Sequence, residues 1–186
     1  VVGDGNVTRS AAYICIGTDE KLNIYDLEGA AWRAGNTVLQ PQTWYRAVWS
    51  FDGVSTVTFY LNGIADGTGD IGTSNDAADD KDLRFRYIGI WDPAEGVPRY
   101  WEGKMSDVQA WQGAWTASDA LFDYLNPESL ALNNSGTSLT ESNLKLWYPM
   151  QDGHRGQQSY ILDGANTGLG DEMATNADMN PAGGGW

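Results

Sequence analysis

The composition of the chain limits its class before any motif is considered. Its 186 residues are 41% hydrophobic and 12% aromatic, which supplies one or two packed domains and is not typical of a disordered chain. No apolar run approaches the roughly 20 residues of a membrane-spanning helix. Because 11 basic residues face 25 acidic ones, the net charge of -14 repels phosphate backbones and anionic lipids. We therefore expect neither a nucleic-acid nor a membrane partner.

Cys15 and His154 are the chain's only cysteine and only histidine. They provide neither an internal disulfide nor the ligands of a zinc finger, a haem site or a Cys-His protease. His154 lies in a Gly-flanked polar segment without a nucleophile motif, which favours a solvated side chain over Ser-His-Asp catalysis. Since no charged-then-apolar leader follows Val1, we expect a processed chain or part of a longer one.

Alternating apolar and polar residues run from residue 11 to 111, punctuated by Gly, Asn and Asp, and predict antiparallel strands joined by tight turns. Asp52-Gly53 predicts a hairpin, and Asn62-Gly63 predicts a further reversal into a short third strand. The predicted strands are 43–51, 55–61, 64–65, 83–91, 100–111 and 144–150. The side chains expected to anchor the sheets are Tyr45, Ala47, Trp49, Phe51, Val57, Phe59, Leu61, Phe85 and Val108.

Three features interrupt the predicted strands. Residues 66–82 are small, polar and acidic, which predicts a surface loop, and 92–99 predicts another. Met105 and Val108 are three residues apart, so a β-bulge near Ser106-Asp107 would bring both into the core.

One short helix is predicted after the last of these strands. Thr116 with Asp119 forms a capping-box pattern, and Leu121, Tyr124 and Leu125 follow on one apolar stripe. Pro127 marks the end of the helix.

Several motifs resemble one known family when taken in order. WYRAVWSFDGVSTVTFYLNG (44–63), IGIWD (88–92) and YWEGKMSDVQAWQGAWTASDALFDYLN (100–126) are similar to the strands, turns and closing helix of laminin-G-like, concanavalin A-like jelly rolls. The resemblance implies an all-β fold: an antiparallel jelly-roll β-sandwich of two packed sheets with one short helix.

The same family usually opens with a strand that resembles LKLWYPMQDG (144–153), and here this strand follows the closing half. We therefore divide the chain into a jelly roll over 1–126, a linker over 127–141 and a strand-containing segment over 142–186. That segment either begins a second, tandem jelly roll or completes the first, with the strand around Trp147 beside the strand around Met105. A half-sandwich alone would leave a sheet edge open.

The linker motifs NPE (126–128) and TSLTESNLK (137–145) between jelly rolls resemble those in segments of phage fibre or appendage proteins. The resemblance implies a virion-surface or extracellular location, and partners that are further copies of the chain or other appendage subunits. The leading hypothesis is a non-enzymatic structural or adhesive module whose loops 66–82 and 92–99 contact glycans or neighbouring subunits.

The alternative is a carbohydrate-active enzyme of the same fold, similar to glycoside hydrolases. Such enzymes need two carboxylates converging on the scissile bond, usually side by side on one strand face. Glu102 and Asp107 lie an odd number of residues apart, nominally on opposite faces, and Asp26 and Glu28 flank a predicted turn. The spacing therefore favours the non-enzymatic hypothesis.

The acidic loop raises calcium as a candidate cofactor, because a hard cation binds carboxylate oxygens at the rim of many jelly rolls of this type. The spacing fits no EF-hand, and a solvated acidic loop is the alternative. The proposed ligands are Asp70, Asp76, Asp79 and Asp80.

Sugar binding requires an exposed aromatic ring with polar groups beside it. Trp91 is predicted at a strand end next to the 92–99 loop, while Trp32 and Trp115 are predicted in turns. Packing is the alternative for each of them, since large aromatic side chains are mostly buried. The candidate carbohydrate-binding residues are Trp91, Asp92, Arg99, Trp32 and Trp115.

Overall fold

The computed structural model describes residues 2–3, 12–26, 31–71, 87–90, 100–126 and 139–150. Within these residues, no helix is both long and apolar enough to cross a membrane. One compact unit comprises Val1–Lys104 with Gly113–Asn143, and a second comprises Met105–Gln112 with Leu144–Trp186. The elements in chain order are β1 (Val2–Gly3), β2 (Ala12–Ile16), β3 (Leu22–Asp26), β4 (Ala31–Ala34), β5 (Ala47–Phe51), β6 (Thr56–Leu61), β7 (Ile64–Asp70), β8 (Tyr87–Ile88), β9 (Val108–Trp111), α1 (Ala117–Leu125), a 3-10 turn (Glu141–Asn143) and β10 (Leu144–Tyr148).

The described residues of the first unit form two antiparallel sheets. Five strands pair in the order β4-β3-β2-β1-β8, and three consecutive strands form the meander β5-β6-β7. Mostly antiparallel strands with one short helix confirm the predicted fold class.

One apolar core contains side chains from both sheets. Leu22 and Ile24 of β3 are fully buried with Val57 and Phe59 of β6, and Leu39, Leu61 and Ile71 complete the buried cluster. The apolar faces predicted for β5 and β6 are confirmed, because alternate side chains of a strand point to the same side of its sheet. The half-buried side chains packed around this cluster are Ile14, Tyr45, Ala47, Trp49 and Phe51.

The predicted β5-β6 hairpin is present, although β5 begins at Ala47 rather than at residue 43. Asp52 stabilises the turn: its Oδ1 accepts hydrogen bonds from the backbone N–H groups of Val54, Ser55 and Thr56 at 2.8, 2.9 and 3.0 Å. These bonds, above all the one from Thr56, lower the pKa of the Asp52 carboxyl below its ordinary value. Gly53 occupies the left-handed region at φ 82°, which favours glycine.

The third strand is longer than predicted. Residues 66–70 belong to β7 and not to the predicted loop, which is wrong over this stretch. The segment lacks an apolar period because its buried residues are Asp66 and Gly69, neither of which has an apolar side chain. A Cβ at Gly69 would meet the Cβ of Arg33 at 2.5 Å, so the absence of a side chain lets β7 lie close to β4. The remainder of the predicted loop, 72–82, lies outside the described residues.

Helix α1 begins as predicted. The Thr116 side chain accepts from the Asp119 N–H at 3.2 Å, and the Asp119 carboxylate accepts from the Thr116 N–H at 2.6 Å, which completes the capping box. The orientation of the helix is the reverse of what its apolar stripe indicates. Leu121, Tyr124 and Leu125 are exposed, whereas Asp119 and Asp123 are buried.

The stretch 100–111, predicted as one strand, instead forms an isolated β-bridge and a separate short strand. In the first unit, Tyr100 forms an isolated bridge with Ile90. In the second unit, β9 begins only at Val108, because Asp107 has a positive φ of 53°. The positive φ of Asp107 lies where the β-bulge was predicted, but it precedes β9 and does not interrupt a strand. Of the predicted strand 83–91, only 87–90 is described.

The second unit contains a two-stranded antiparallel ribbon of β9 and β10. Trp147 lies opposite Gln109 and Tyr148 opposite Val108, with a register shift between Leu144 and Leu146. The 144–150 strand is therefore present from residue 144 to 148. Its partner is the chain that follows Met105, and both strands belong to the second unit. The proposed domain boundaries stay a prediction.

Candidate functional site

A row of three aromatic side chains crosses one face of the five-stranded sheet. Tyr13, Tyr25 and Trp32 are cross-strand partners on β2, β3 and β4. The rings of Tyr13 and Tyr25 are stacked with centroids 6.3 Å apart, and those of Tyr25 and Trp32 are tilted at 38° with centroids 4.7 Å apart. Such separations lie within the favourable range for aromatic pairs.

Exposure rises along this row towards the edge of the sheet. Tyr13 is fully buried, Tyr25 is half-buried, and Trp32 on edge strand β4 is 47% exposed. The Tyr25 ring contacts Trp32 and fixes the orientation of the indole, while much of the indole surface stays open to solvent. The sequence placed Trp32 in a turn, and this is wrong: it lies on a strand because Tyr25 pairs with it.

Trp115 also differs from its expected setting. It lies immediately before α1 and is buried, so its side chain packs in the interior instead of offering a surface to a sugar. Its backbone joins the helix to the three-stranded sheet, because Ser50 Oγ accepts from the Trp115 N–H at 2.7 Å and donates to its carbonyl at 3.0 Å. The Tyr60 hydroxyl donates to the same carbonyl at 3.3 Å. Packing is therefore the role that the geometry gives Trp115.

Burial raises the pKa of the Tyr60 phenol above its ordinary value, and the negative charge of Asp119 raises it further. Asp119 is itself fully buried at the capping box. The charge of Asp119 in the first turn of α1 thus acts on a side chain of the three-stranded sheet.

The predicted calcium ligands are only partly described. Asp70 ends β7 with an exposed side chain, and its backbone carbonyl accepts from the Arg33 guanidinium. Asp76, Asp79 and Asp80 lie outside the described residues. No group of three potential metal ligands occurs in the described part of the chain. Calcium therefore stays a prediction of the sequence.

Asp66, also assigned to the acidic loop, has a structural role. Its Oδ1 accepts from both the N–H and the hydroxyl of Thr37, at 3.0 and 2.5 Å, and its carbonyl accepts from the Asn36 N–H at 2.7 Å. The side chain is buried, and its Oδ2 has no hydrogen-bond partner in the structure. A Cβ at Gly35 would clash with this oxygen, so glycine permits the close approach. Asp66 binds the segment after β4 to β7.

The ribbon of the second unit carries a polar network with two tryptophans. Asp107 Oδ1 accepts from Trp147 Nε1 at 2.7 Å and from Gln109 Nε2 at 3.0 Å, and Gln109 Oε1 accepts from Trp111 Nε1 at 2.8 Å. The direct opposition of Trp147 and Gln109 places them on one face of the ribbon. The sequence analysis missed this network, because Trp147 lies on a strand far along the chain from the other three residues.

The remaining candidate carbohydrate-binding residues, Trp91, Asp92 and Arg99, lie outside the described residues and stay predictions. Of the five candidates, the structure therefore leaves Trp32 with an exposed, oriented ring.

Comparison with known families agrees with this architecture. A laminin G family model, described as the concanavalin A-like lectin/glucanases superfamily, matches residues 2–120. The chain belongs to this superfamily. The matched segment includes both sheets of the first unit and the start of α1, so the membership rests on most of the described fold. Neither the curated proteins nor the solved structures contain a significant match to this member of the superfamily.

Proposed function

We propose that the chain is a non-enzymatic adhesive module that binds glycans at the β4 edge of its five-stranded sheet, with Trp32 as the stacking surface. The observation that carries the proposal is that the Trp32 ring is held by Tyr25 and is still 47% exposed. An oriented aromatic ring loses little conformational entropy when a sugar face stacks on it.

The surroundings of Trp32 favour a shallow contact. The β4 strand lies at the edge of its sheet, and its backbone is anchored by the Arg33 side chain, which donates to the Trp32 carbonyl at 3.0 Å. An edge strand offers backbone polar groups beside the ring, and such groups can bond sugar hydroxyls. We therefore expect recognition of an extended glycan by its apolar face and not enclosure of a single sugar.

The non-enzymatic part of the proposal is supported by the roles of the buried acids. Asp66 holds Thr37, Asp107 holds Trp147, Asp119 caps α1 and Asp123 pairs with Arg46. Each buried carboxylate of the described residues thus has a structural partner, whereas a glycosidase needs two that converge on substrate. We extend the proposal to a virion-surface or extracellular appendage and to assembly with further copies, since adhesion gains avidity from repeated modules.

The test is a glycan panel read for both binding and turnover, using the whole chain and two variants. Trp32→Ala removes the proposed stacking surface. Trp44→Ala is the matched control, because Trp44 is 64% exposed and lies outside any strand. We expect Trp32→Ala to weaken binding at least about tenfold, as loss of a central aromatic contact does, and Trp44→Ala to leave it unchanged.

Three outcomes contradict the proposal. If no glycan binds the chain, adhesion through sugars is wrong. If Trp32→Ala binds as tightly as the unaltered chain, the site lies elsewhere. If glycosidic bonds are cleaved, the enzymatic alternative replaces the adhesive one.

A further inference from the structure

The guanidinium of Arg33 lies between the edge strands of the two sheets, close to the residue that carries the exposed ring. Successive side chains leave a strand on opposite sides, yet the end of the Arg33 side chain reaches back to the backbone of its neighbour. Nη1 donates to the Trp32 carbonyl at 3.0 Å, and Nε donates to the Asp70 carbonyl on β7. A cation is therefore fixed beside the proposed stacking surface.

The aliphatic stem of Arg33 is held in place as well as its charged end. A Cβ at Gly69 would meet the Cβ, Cγ and Cδ atoms of Arg33 at 2.5, 2.8 and 3.2 Å, so the stem lies directly against the β7 backbone. A side chain that is already ordered loses little rotamer entropy when it binds a ligand. The guanidinium is thus preorganised, as the Trp32 ring is.

Most of the hydrogen-bonding capacity of this guanidinium is unused. Its two bonds occupy two of the five N–H groups of an arginine, which leaves three. In the part of the chain that the structure describes, the Arg33 side chain makes no further hydrogen bond and no ion pair, and Asp70 contacts it through a carbonyl and not through its carboxylate. Carbonyl oxygens orient the guanidinium but do not balance its charge. Arg46 is the contrast, because it donates to both carboxylate oxygens of Asp123.

The unused groups determine the kind of ligand atom that fits beside Trp32. They are donors in a planar, positively charged fork, and a carboxylate accepts two parallel bonds from such a fork and supplies the missing negative charge. A neutral hydroxyl would leave the charge unbalanced. The ring next to the guanidinium requires the apolar face of a sugar. An acidic sugar offers both features within one residue.

The net charge of -14 does not prevent this contact. At physiological ionic strength the Debye length is about 8 Å, so distant acidic side chains are largely screened, whereas Arg33 acts at contact distance. The remaining repulsion grows with the charge of the ligand. We therefore expect a glycan with separated carboxylates and not a densely sulfated one.

We propose that Arg33 makes the Trp32 site selective for glycans that carry carboxylates, as uronic acid and sialic acid residues do. The inference rests on the proposed function, because it assigns a ligand class to the same site.

The test compares short acidic oligosaccharides with their carboxyl-reduced forms, which keep the sugar backbone and lose the charge. The probes are tetragalacturonic acid and sialyllactose, so the two pairs distinguish a uronic from a sialic acid. We expect the acid of at least one pair to bind the whole chain about tenfold or more tightly than its reduced form, as a charge-assisted hydrogen bond would give. Arg33→Gln should remove this preference by weakening the acid, while the reduced form changes less than about threefold.

Lys104→Gln is the matched control, because it removes one positive charge from an exposed residue outside any strand. It should leave the preference unchanged. Arg33→Lys keeps the charge but loses the planar fork, so it should retain only part of the preference. Circular dichroism checks that each variant is folded. The comparison of acid with reduced form on the unaltered chain needs no variant, so it decides the matter if Arg33→Gln does not fold.

Equal binding of the acid and reduced forms in both pairs, with binding still dependent on Trp32, overturns this inference and leaves the proposed function in place. A preference that survives in Arg33→Gln, or that Lys104→Gln also removes, overturns it too. If Arg33→Gln weakens both forms by the same factor, Arg33 only supports the Trp32 backbone and does not select the ligand. A chain that binds no glycan removes the proposed function and this inference together.

Discussion

The ion pair between Arg46 and Asp123 offers a sharp test of what holds α1 on the three-stranded sheet. The Arg46 guanidinium donates to both carboxylate oxygens, with Nη2 to Oδ1 at 2.6 Å, and the backbone of Arg46 is fixed by Asn62 Oδ1 at 2.9 Å. The perturbation is a cycle of three variants: Arg46→Met, Asp123→Leu and the combination of both.

The expected magnitudes follow from burial. The Asp123 side chain is 2% exposed and that of Arg46 is 20% exposed. Removing one member of a buried pair costs about 3 to 5 kcal/mol of unfolding free energy, because the other charge is left without compensation. The cost of Asp123→Leu should be near the lower end of this range, since the remaining guanidinium can reach water. Arg46→Met should fall near the upper end, because it strands the deeply buried carboxylate. The double variant should lie within about 1.5 kcal/mol of the unaltered chain.

Urea unfolding measures the free energies, and hydrogen exchange of the 113–126 segment reports whether α1 opens locally or with the whole unit. If the double variant loses as much unfolding free energy as the two single variants together, the effects are additive and the two side chains are not energetically coupled. Single variants that each cost less than about 1 kcal/mol, the level of a surface ion pair, would mean that α1 does not bury this pair in solution. Either result refutes the reasoning.

Two further predictions concern the same region. Thr116→Ala removes the capping hydroxyl and should lower the unfolding free energy by about 1 kcal/mol, measured by urea unfolding, whereas Thr116→Ser should retain most of it. Tyr60 titrates above its ordinary value of 10.0, so folding favours the protonated phenol; this stabilisation is complete below pH 10 and is lost as pH rises through the folded-state pKa. Ultraviolet titration at alkaline pH should show a delayed tyrosine contribution that is missing in Tyr60→Phe; if the contribution lost in this variant titrates near the ordinary value of 10.0, the environment of Tyr60 is misassigned.

Local patterns were sufficient where neighbouring residues determine the structure. The alternation that placed Val57, Phe59 and Leu61 in the core was reliable because burial on one side of a strand repeats every two residues. The capping box at Thr116 was equally predictable, since its hydrogen bonds join residues three apart.

The sequence could not predict which face of α1 is buried, because the partner of Asp123 is Arg46, 77 residues earlier. An apolar stripe predicts the inward face only when no distant cation or capping contact competes with it. Residues 66–70 were mistaken for a loop for a related reason: this part of β7 is held by its partners in β6 and by the segment after β4, and not by apolar side chains of its own.

At the candidate site too, local sequence patterns were informative and long-range contacts were not predictable. The sequence suggested Trp32 as an exposed aromatic residue but did not show which residues surround it. The supporting ring of Tyr25 is apparent only from the β3-β4 register. Trp115 looked equally suitable, yet its backbone bonds to Ser50 keep it inside. A tryptophan beside a turn signal can serve either role, and only tertiary contacts separate the two.

The contacts between β4 and β7 affect how the fold avoids misassembly. Each of these strands is the last in its sheet, and an unpaired strand edge is a template on which another chain can add and start a fibril. Here the Asp70 carbonyl accepts from the Arg33 side chain and the Asp66 carbonyl accepts from the N–H of Asn36, just beyond β4, so two carbonyls of β7 are already occupied. An added strand would have to displace these bonds, so the contacts that hold the segment after β4 against β7 also oppose fibril growth from the β7 edge.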